Sequence, residues 1–204
     1  MKKSGILLAV ALPEEVQHQS QILQIPVVFT GVGKVNAAIA TTHAIQRLTP
    51  SLLINFGTVG GVTQKPDSLC VVNSVIERDM LAMPLSKRGT TPFDEIDMYM
   101  SINSKGVRCG TGDSFVHSSD PWFLSEGVDI VDMELYAIAK SCYKFNVPWL
   151  SYKYVSDSAN KNAQSDWQAR LSSAFSVFEH QLSSDLESII ESYENQESRE
   201  DLNP

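Results

Sequence analysis

The sequence lacks a basic face, a long apolar run and closely spaced cysteines, and each absence excludes a class of protein. Of 204 residues, 16 are Lys or Arg and 24 are Asp or Glu, which gives a formal net charge of −8. The basic residues are scattered singly, so we expect neither nucleic acid nor a membrane surface as a partner. No apolar run approaches the length of a bilayer span.

Cysteines and histidines are too few and too dispersed to predict a metal site. Cys70, Cys109 and Cys142 show no CxxC spacing, and the four histidines form no cluster. Unpaired thiols are typical of a reducing compartment, so we expect a cytoplasmic protein. Neither a metal nor a cofactor is expected.

The length suits one domain that buries a single large core. We predict a domain over residues 1–195 and a polar, acidic C-terminal tail over residues 196–204. Apolar runs alternate with glycine-rich loops and helical patterns, which indicates an α/β fold with a mostly parallel sheet.

Apolar periodicity predicts the elements of this fold. Strands are predicted at residues 5–11, 25–30, 52–56, 70–76, 107–110, 129–131 and 149–155. Helices are predicted from residue 13, from the 31–36 loop to about Leu48, over 134–145, and along the last amphipathic stretch, where apolar residues recur from Phe175 to Tyr193. The remaining segments, 57–61, 80–105 and 118–127, are predicted to be turn, loop or irregular chain.

Polar residues and glycine turns follow the C-terminal ends of these strands, where open α/β sheets bind their ligands. Two carboxylates stand out: Glu134 opens a helix, and Asp157 ends the next strand. They suggest a site where one carboxylate binds and the other moves a proton. Many acids and few bases suit a neutral, hydroxyl-rich ligand. The full set is Glu15, Gly31–Gly33, Gly57–Thr58, Asp79, Asp113–Phe115, Glu134 and Asp157.

From the residues alone, each of these groups also has a purely structural interpretation. The glycine loops match neither a dinucleotide fingerprint nor a Walker motif, so they can be tight turns. Glu15 and Glu134 can complement helix dipoles, and Asp157 can cap a helix. Phe115 can be ordinary core packing.

Five motifs nevertheless resemble those of the purine nucleoside phosphorylase and nucleosidase superfamily, in the same order over roughly residues 5–190. Among its members they are most similar to the 5′-methylthioadenosine/S-adenosylhomocysteine nucleosidases. The motifs are Thr30-Gly-Val-Gly-Lys-Val-Asn-Ala-Ala38, Ile54-Asn-Phe-Gly-Thr-Val-Gly-Gly61, Gly112-Asp-Ser-Phe115, Asp132-Met-Glu134 and Val155-Ser-Asp157. The resemblance implies a single-domain three-layer α/β/α sandwich with a mixed, mostly parallel central sheet. It also implies hydrolysis of the N-glycosidic bond of an adenine nucleoside, with a place in methionine salvage.

The resemblance assigns a role to each matched residue. Asp157, held by Ser156, would protonate or hydrogen-bond the purine N7 so that the base can leave. Glu15 would take a proton from the attacking water, with its neighbour Glu14 as the second candidate, and Glu134 would accept hydrogen bonds from the ribose hydroxyls.

Six further residues complete the implied site. They are Phe115, which would stack on the purine; Val116, whose backbone would read the base edge; Met133, packing on the sugar; Thr58, orienting water or ribose; Lys153, standing where many bacterial nucleosidases carry arginine; and Trp167, near the 5′-alkylthio pocket.

Water is expected as the nucleophile. Asn55 stands where bacterial phosphorylases carry a phosphate-binding arginine, and the Gly31–Asn36 loop contains no arginine. Bound phosphate would also be repelled by Glu15. Two alternatives stay open: a purine nucleoside phosphorylase, and a nucleoside-binding homologue without turnover.

The chain departs from the family in two shortened segments, 16–30 and 80–111. The first is too short for the strand pair common in the family. In relatives, part of the second reaches the neighbouring subunit and covers the 5′-substituent. The family's usual His-Asp pair is here Arg78-Asp79. The resemblance implies a homodimer whose ligand is a small nucleoside.

Overall fold

Nine strands form one sheet in the part of the chain that the computed structural model describes, residues 5–118, 120–159 and 163–200. Within that range, the side chains of residues 163–169, 172 and 192–200 are not described. The strands are β1 (Ile6–Val10), β2 (Gln21–Ile22), β3 (Ile25–Phe29), β4 (Leu52–Gly61), β5 (Leu69–Glu77), β6 (Met98–Met100), β7 (Val107–Thr111), β8 (Ile130–Asp132) and β9 (Trp149–Asp157).

The helices cover both faces of this sheet. A short 3-10 helix spans Pro13–Val16, where sequence predicted a helical start. The α-helices are α1 (Lys34–Leu48), α2 (Pro121–Ser125), α3 (Leu135–Lys144) and α4 (Ala163–Glu200). None of the helices in the described part is both long and apolar enough to cross a membrane. The domain boundary at residue 195 stays a prediction, and residues 201–204 lie outside the described range.

The sheet is mixed, and five of its strands close into a ring. The path runs β2-β3-β1-β4-β8-β7-β5-β6, and β9 pairs with both β4 and β5. The pairs β1–β3, β1–β4, β4–β9, β5–β7 and β7–β8 are parallel. The ring brings the ends of β4, β8 and β9 together, because Gly60 pairs with Val131 on one side and Asp157 on the other.

One hydrophobic core lies on each face of the sheet, as the predicted three-layer fold requires. All five residues of β1 are buried, so this strand contributes to both cores. Helices α1 and α3 pack on one face. Helix α4 packs on the other, where the Phe178 ring stacks on Phe56 with centroids 4.0 Å apart. The predicted α/β class and layer arrangement are confirmed.

The glycine run 57–61 is strand, and the turn predicted there is wrong. Strand β4 continues to Gly61 and pairs with β9. A Cβ at Gly61 would lie 2.1 Å from the Gln64 carbonyl oxygen, and one at Gly60 would lie 3.0 Å from Asp157 Oδ1. The glycines therefore serve close packing within a strand, and Gly60 leaves room for the Asp157 carboxylate.

Three short elements were also missed. Strand β6 lies in the segment predicted as loop and pairs with β5. Helix α2 lies in the segment predicted as irregular, and the Asp120 side chain caps it by accepting a hydrogen bond from the Trp122 N–H. Strand β2, which has only two residues, pairs antiparallel with β3 within the segment expected to be too short for the family's strand pair.

Candidate active site

A cavity of about 280 Å³ lies where β1, β4, β8 and β9 end. This is the sheet edge at which the sequence predicted a ligand. Eight of the ten predicted site residues line the cavity: Glu15, Thr58, Phe115, Val116, Met133, Glu134, Ser156 and Asp157. Lys153 lies behind this lining, and the side chain of Trp167 is outside the described part of the chain.

Glu15 is held by three hydrogen bonds. The residue follows β1 in the 3-10 helix and is 3% exposed. Its Oε1 accepts from the Thr58 N–H at 2.9 Å and from the Thr58 hydroxyl at 2.8 Å, and its Oε2 accepts from the Leu12 N–H at 3.1 Å. A carboxylate has about four acceptor positions, so one remains for a water in the cavity.

Glu134 begins α3 and reaches the loop before α1. Its Oε1 accepts a hydrogen bond from the Gly33 N–H at 2.9 Å. Gly33 has a φ of +89°, and a Cβ there would lie 3.1 Å from Asp113 Oδ1, so glycine suits this turn. Burial, and then the charge of Asp132, raises the pKa of Glu134 to about 7. Its charge therefore changes near neutral pH.

A buried ion pair lies behind the cavity wall and was not predicted. The Lys153 ammonium donates to Asp132 Oδ2 at 2.8 Å, and both side chains are almost fully buried. Burial acts to raise the pKa of Asp132, but the lysine charge and hydrogen bonds from Lys153, Thr111 and Leu135 hold that pKa below its usual value. A Cβ at Gly57 would lie 3.3 Å from Lys153 Nζ and 3.6 Å from Glu15 Oε1. Glycine thus leaves room beside β4 for both the Lys153 and the Glu15 side chains.

Asp157 is the last residue of β9 and is 5% exposed. Its Oδ2 accepts from the Ser156 hydroxyl at 2.9 Å, and its Oδ1 accepts from the Ala159 N–H at 2.8 Å. The Ser156 hydroxyl also lies 3.2 Å from the Val59 carbonyl oxygen. When the Ser156 hydroxyl donates its hydrogen to the Val59 carbonyl, its oxygen can accept a hydrogen bond from a protonated Asp157. Ser156 therefore accommodates either protonation state of Asp157.

Phe115 is 48% exposed, and Arg78 anchors the turn that precedes it. The guanidinium donates from Nη2 to the carbonyls of Gly112 and Ser114 and from Nη1 to Ser114 Oγ. Arg78 is buried and lines the cavity, and burial lowers its pKa. Sequence reasoning gave Arg78 no site role; its only signal was the departure from the family's His-Asp pair.

A charged network joins the loop before α1 to the turn that carries Phe115. Lys34 Nζ bonds Glu77 at 2.6 Å and Asp79 at 2.5 Å. The Lys34 N–H donates to Asp113 Oδ1, and the Asp113 N–H donates to Asp79 Oδ2. The network fixes the Gly33 N–H that binds Glu134.

Comparisons with known proteins agree with this geometry. A family model described as the phosphorylase superfamily matches residues 18–193. The chain is 30% identical to the 5′-methylthioadenosine/S-adenosylhomocysteine nucleosidase of Exiguobacterium sp. over 175 residues, which are 74% of this chain and 75% of that one.

Two solved structures from Helicobacter pylori share the fold. One is a nucleosidase mutant with 5′-methylthioadenosine in the active site, with a TM-score of 0.81, 20% identity, and coverage of 90% of this chain and 98% of that chain. The other is futalosine hydrolase, with a TM-score of 0.80, 21% identity, and coverage of 90% and 97%. The resemblance carried by the five motifs is confirmed. The chain therefore belongs to the phosphorylase superfamily.

Proposed function

We propose that this protein hydrolyses the N-glycosidic bond of an adenine nucleoside, of the 5′-methylthioadenosine or S-adenosylhomocysteine type, and releases adenine. The observation that carries the proposal is the convergence of Glu15, Glu134 and Asp157 on one cavity, each buried and each held by different donors. The names of the relatives supply the nucleoside class.

Glu134 binds the ribose. Ribose hydroxyls donate to its carboxylate and favour the anion, which then faces the positive charge that develops on the sugar as the bond breaks. Met133 lines the cavity beside it and packs on the sugar. The pKa of Glu134 is about 7, and hydrogen bonds from the ribose hydroxyls would lower it, because they favour the charged carboxylate.

Asp157 assists the leaving base. Electrons of the broken C1′–N9 bond pass into the purine, and Asp157 delivers a proton to N7. Phe115 stacks on the ring, and the Val116 backbone meets the base edge. Burial of Asp157 and the two-way hydrogen bond of Ser156 support this role.

Glu15 activates the water. The water oxygen forms a bond to C1′ while Glu15 takes the released proton. The Thr58 N–H and hydroxyl hold the carboxylate in place. The Glu15 carboxylate thus keeps one acceptor position, which suits a single water molecule as the nucleophile.

Water suits this site better than phosphate. Asn55 is 2% exposed and donates to the carbonyls of Ala9 and Phe56, so it does not replace a phosphate-binding arginine. The charge of Lys153 is paired with Asp132. Glu15 and Glu134 would both repel a phosphate in the cavity.

A homodimer is the proposed assembly, with the cytoplasm as the compartment. Large apolar side chains are exposed on α1, at Val35 and Ile39, and along the segment after β5, at Leu81, Met83, Leu85 and Phe93. Lys34 at the start of α1 bonds Glu77 at the end of β5 and Asp79 just after it, so the two groups of side chains begin next to each other, and apolar side chains exposed together suit an interface between subunits. Cys70, Cys109 and Cys142 are free thiols, which suits a reducing compartment.

The test is release of free adenine and a reducing sugar from 5′-methylthioadenosine in phosphate-free buffer. We expect Asp157→Asn to lower kcat by about 10²-fold or more, because the amide cannot deliver the proton. The exposed Asp97→Asn is the matched control. Cleavage that requires added phosphate would favour a phosphorylase. Thermal stabilisation by the nucleoside without any cleavage would favour a binding protein.

A further inference from the structure

A second cavity, of about 420 Å³, adjoins the first. Val116 and Ala159 line both cavities. Beyond them, the second cavity is bounded by Val62 after β4 and by Phe123 and Leu124 of α2. The two cavities therefore meet at the end of the site that carries Asp157 and Val116.

The walls of the second cavity are mainly apolar. Val62, Val116, Phe123 and Ala159 pack in one hydrophobic cluster. The polar residues that also line it are Ser118, Ser158 and Asp120, and the Asp120 carboxylate is already engaged, since it caps α2 and pairs with Arg88 at 2.7 Å. An occupant of this space gains by burying apolar surface.

An adenine bound in the first cavity would direct its six-amino group towards the second cavity. In the proposed function, on which this step rests, Asp157 meets the purine N7 and the Val116 backbone meets the adjoining edge. The six-amino group of adenine lies between N7 and that edge, so it points to the junction lined by Val116 and Ala159. The Ala159 N–H binds Asp157 Oδ1, which keeps this junction next to the N7 site.

We infer that the site accepts adenine nucleosides whose six-amino nitrogen carries an apolar substituent, with the substituent in the second cavity. Such a nucleoside keeps N7, one N–H on the six-amino nitrogen, and the ribose, so the bond cleavage is unchanged. The volume is ample for a benzyl group, since apolar cavities of roughly 150 Å³ hold benzene.

The test compares two substrates, 5′-methylthioadenosine and its N6-benzyl derivative. In the wild-type protein we expect kcat/KM for the derivative within about tenfold of the parent value. Val62→Phe fills the second cavity and should lower kcat/KM for the derivative by about tenfold or more, with the parent value unchanged. Val177→Phe, on the exposed face of α4, is the matched control and should change neither.

A second variant that narrows the same cavity keeps the test valid if Val62→Phe does not fold. Leu124 is 67% exposed, so Leu124→Trp is tolerated by the fold and narrows the same cavity. If the wild-type protein cleaves 5′-methylthioadenosine but not the N6-benzyl derivative, the inference is wrong and the proposed function still holds. Equal losses on both substrates in the blocking variants would also overturn it. Failure to cleave either substrate would overturn the proposed function, and this inference with it.

Discussion

The two ends of the cavity differ in how firmly their side chains are held. At the end lined by Glu15 and Glu134, which we call the sugar end, backbone N–H groups bind both carboxylates and a buried ion pair lies behind them. At the base end, Asp157 is also held, by the Ser156 hydroxyl and the Ala159 N–H, but Phe115 is half exposed, and Val116 and Ala159 open onto a second cavity. The difference places fixed geometry where bonds change, which is where preorganisation contributes most to rate, and leaves space where substrates vary.

The largest effect is expected at the sugar end, from Glu15→Gln. Glutamine keeps the shape of glutamate and can accept hydrogen bonds from Thr58, but it cannot take a proton from water. We expect kcat for adenine release to fall by about 10²–10⁴-fold, while adenine still raises the Tm. Glu14→Gln, one residue away and exposed, is the control and should leave kcat unchanged. A Glu15→Gln protein with near-normal kcat would remove Glu15 from the mechanism.

Stability at the same end depends on the buried ion pair. Lys153→Met leaves the Asp132 charge buried without its partner, and we expect the free energy of unfolding to fall by about 3–5 kcal/mol in urea denaturation. Lys140→Met breaks the more exposed pair with Asp94 and should cost only about 0–1 kcal/mol.

A double variant separates loss of charge pairing from loss of packing. Asp132→Asn added to Lys153→Met removes the unpaired charge; the amide oxygen can still accept from the Leu135 N–H, and the amide NH2 can donate to the Thr111 hydroxyl oxygen. Most of the lost stability should return. If the double variant is as unstable as Lys153→Met, the firmness of the sugar end comes from packing instead.

At the base end, we expect a substitution to weaken substrate binding more than it slows the reaction. Phe115→Ala removes the stacking surface, and since stacking contributes about 1–3 kcal/mol per base, KM should rise by about 10- to 100-fold with kcat nearly unchanged. Phe145→Ala, at an exposed side chain that follows α3 and lines neither cavity, is the control. A fall in kcat with an unchanged KM would show that the base end also sets the reacting geometry.

The same contrast explains which features the sequence could predict. Glu15, Glu134 and Asp157 were predictable because each follows an apolar strand whose pattern is local. The strand at 57–61 could not be predicted. Its glycines are needed because a side chain there would collide with Gln64 or Asp157, and only the folded chain brings these residues close. The Lys153–Asp132 pair was missed for a similar reason, since residues on β9 and β8 meet only through the closed ring of strands.

The smallest effect concerns pH and the charge of Glu134. Its pKa is about 7 in the folded protein against an ordinary value of 4.5, so between these values the folded state binds more protons than the unfolded state. The contribution of Glu134 protonation to the free energy of unfolding is therefore fully present below about pH 4.5 and is lost as the pH rises through 7. Glu134→Gln should raise the Tm at about pH 8 by several degrees, since each kcal/mol corresponds to roughly 2–4 °C. That advantage should shrink towards pH 5, and Glu14→Gln should show no such trend.

Activity should depend on pH in the opposite direction to the stability that Glu134 contributes. If the Glu134 anion binds the ribose, kcat/KM, which reports the free enzyme, should fall as the pH drops below about 7. Over the same interval the Glu134 contribution to stability grows. A kcat/KM that stays constant between about pH 7 and pH 5 would mean that ribose binding does not need the Glu134 anion, and the hydrogen bonds at the sugar end would then serve the fold instead of the substrate.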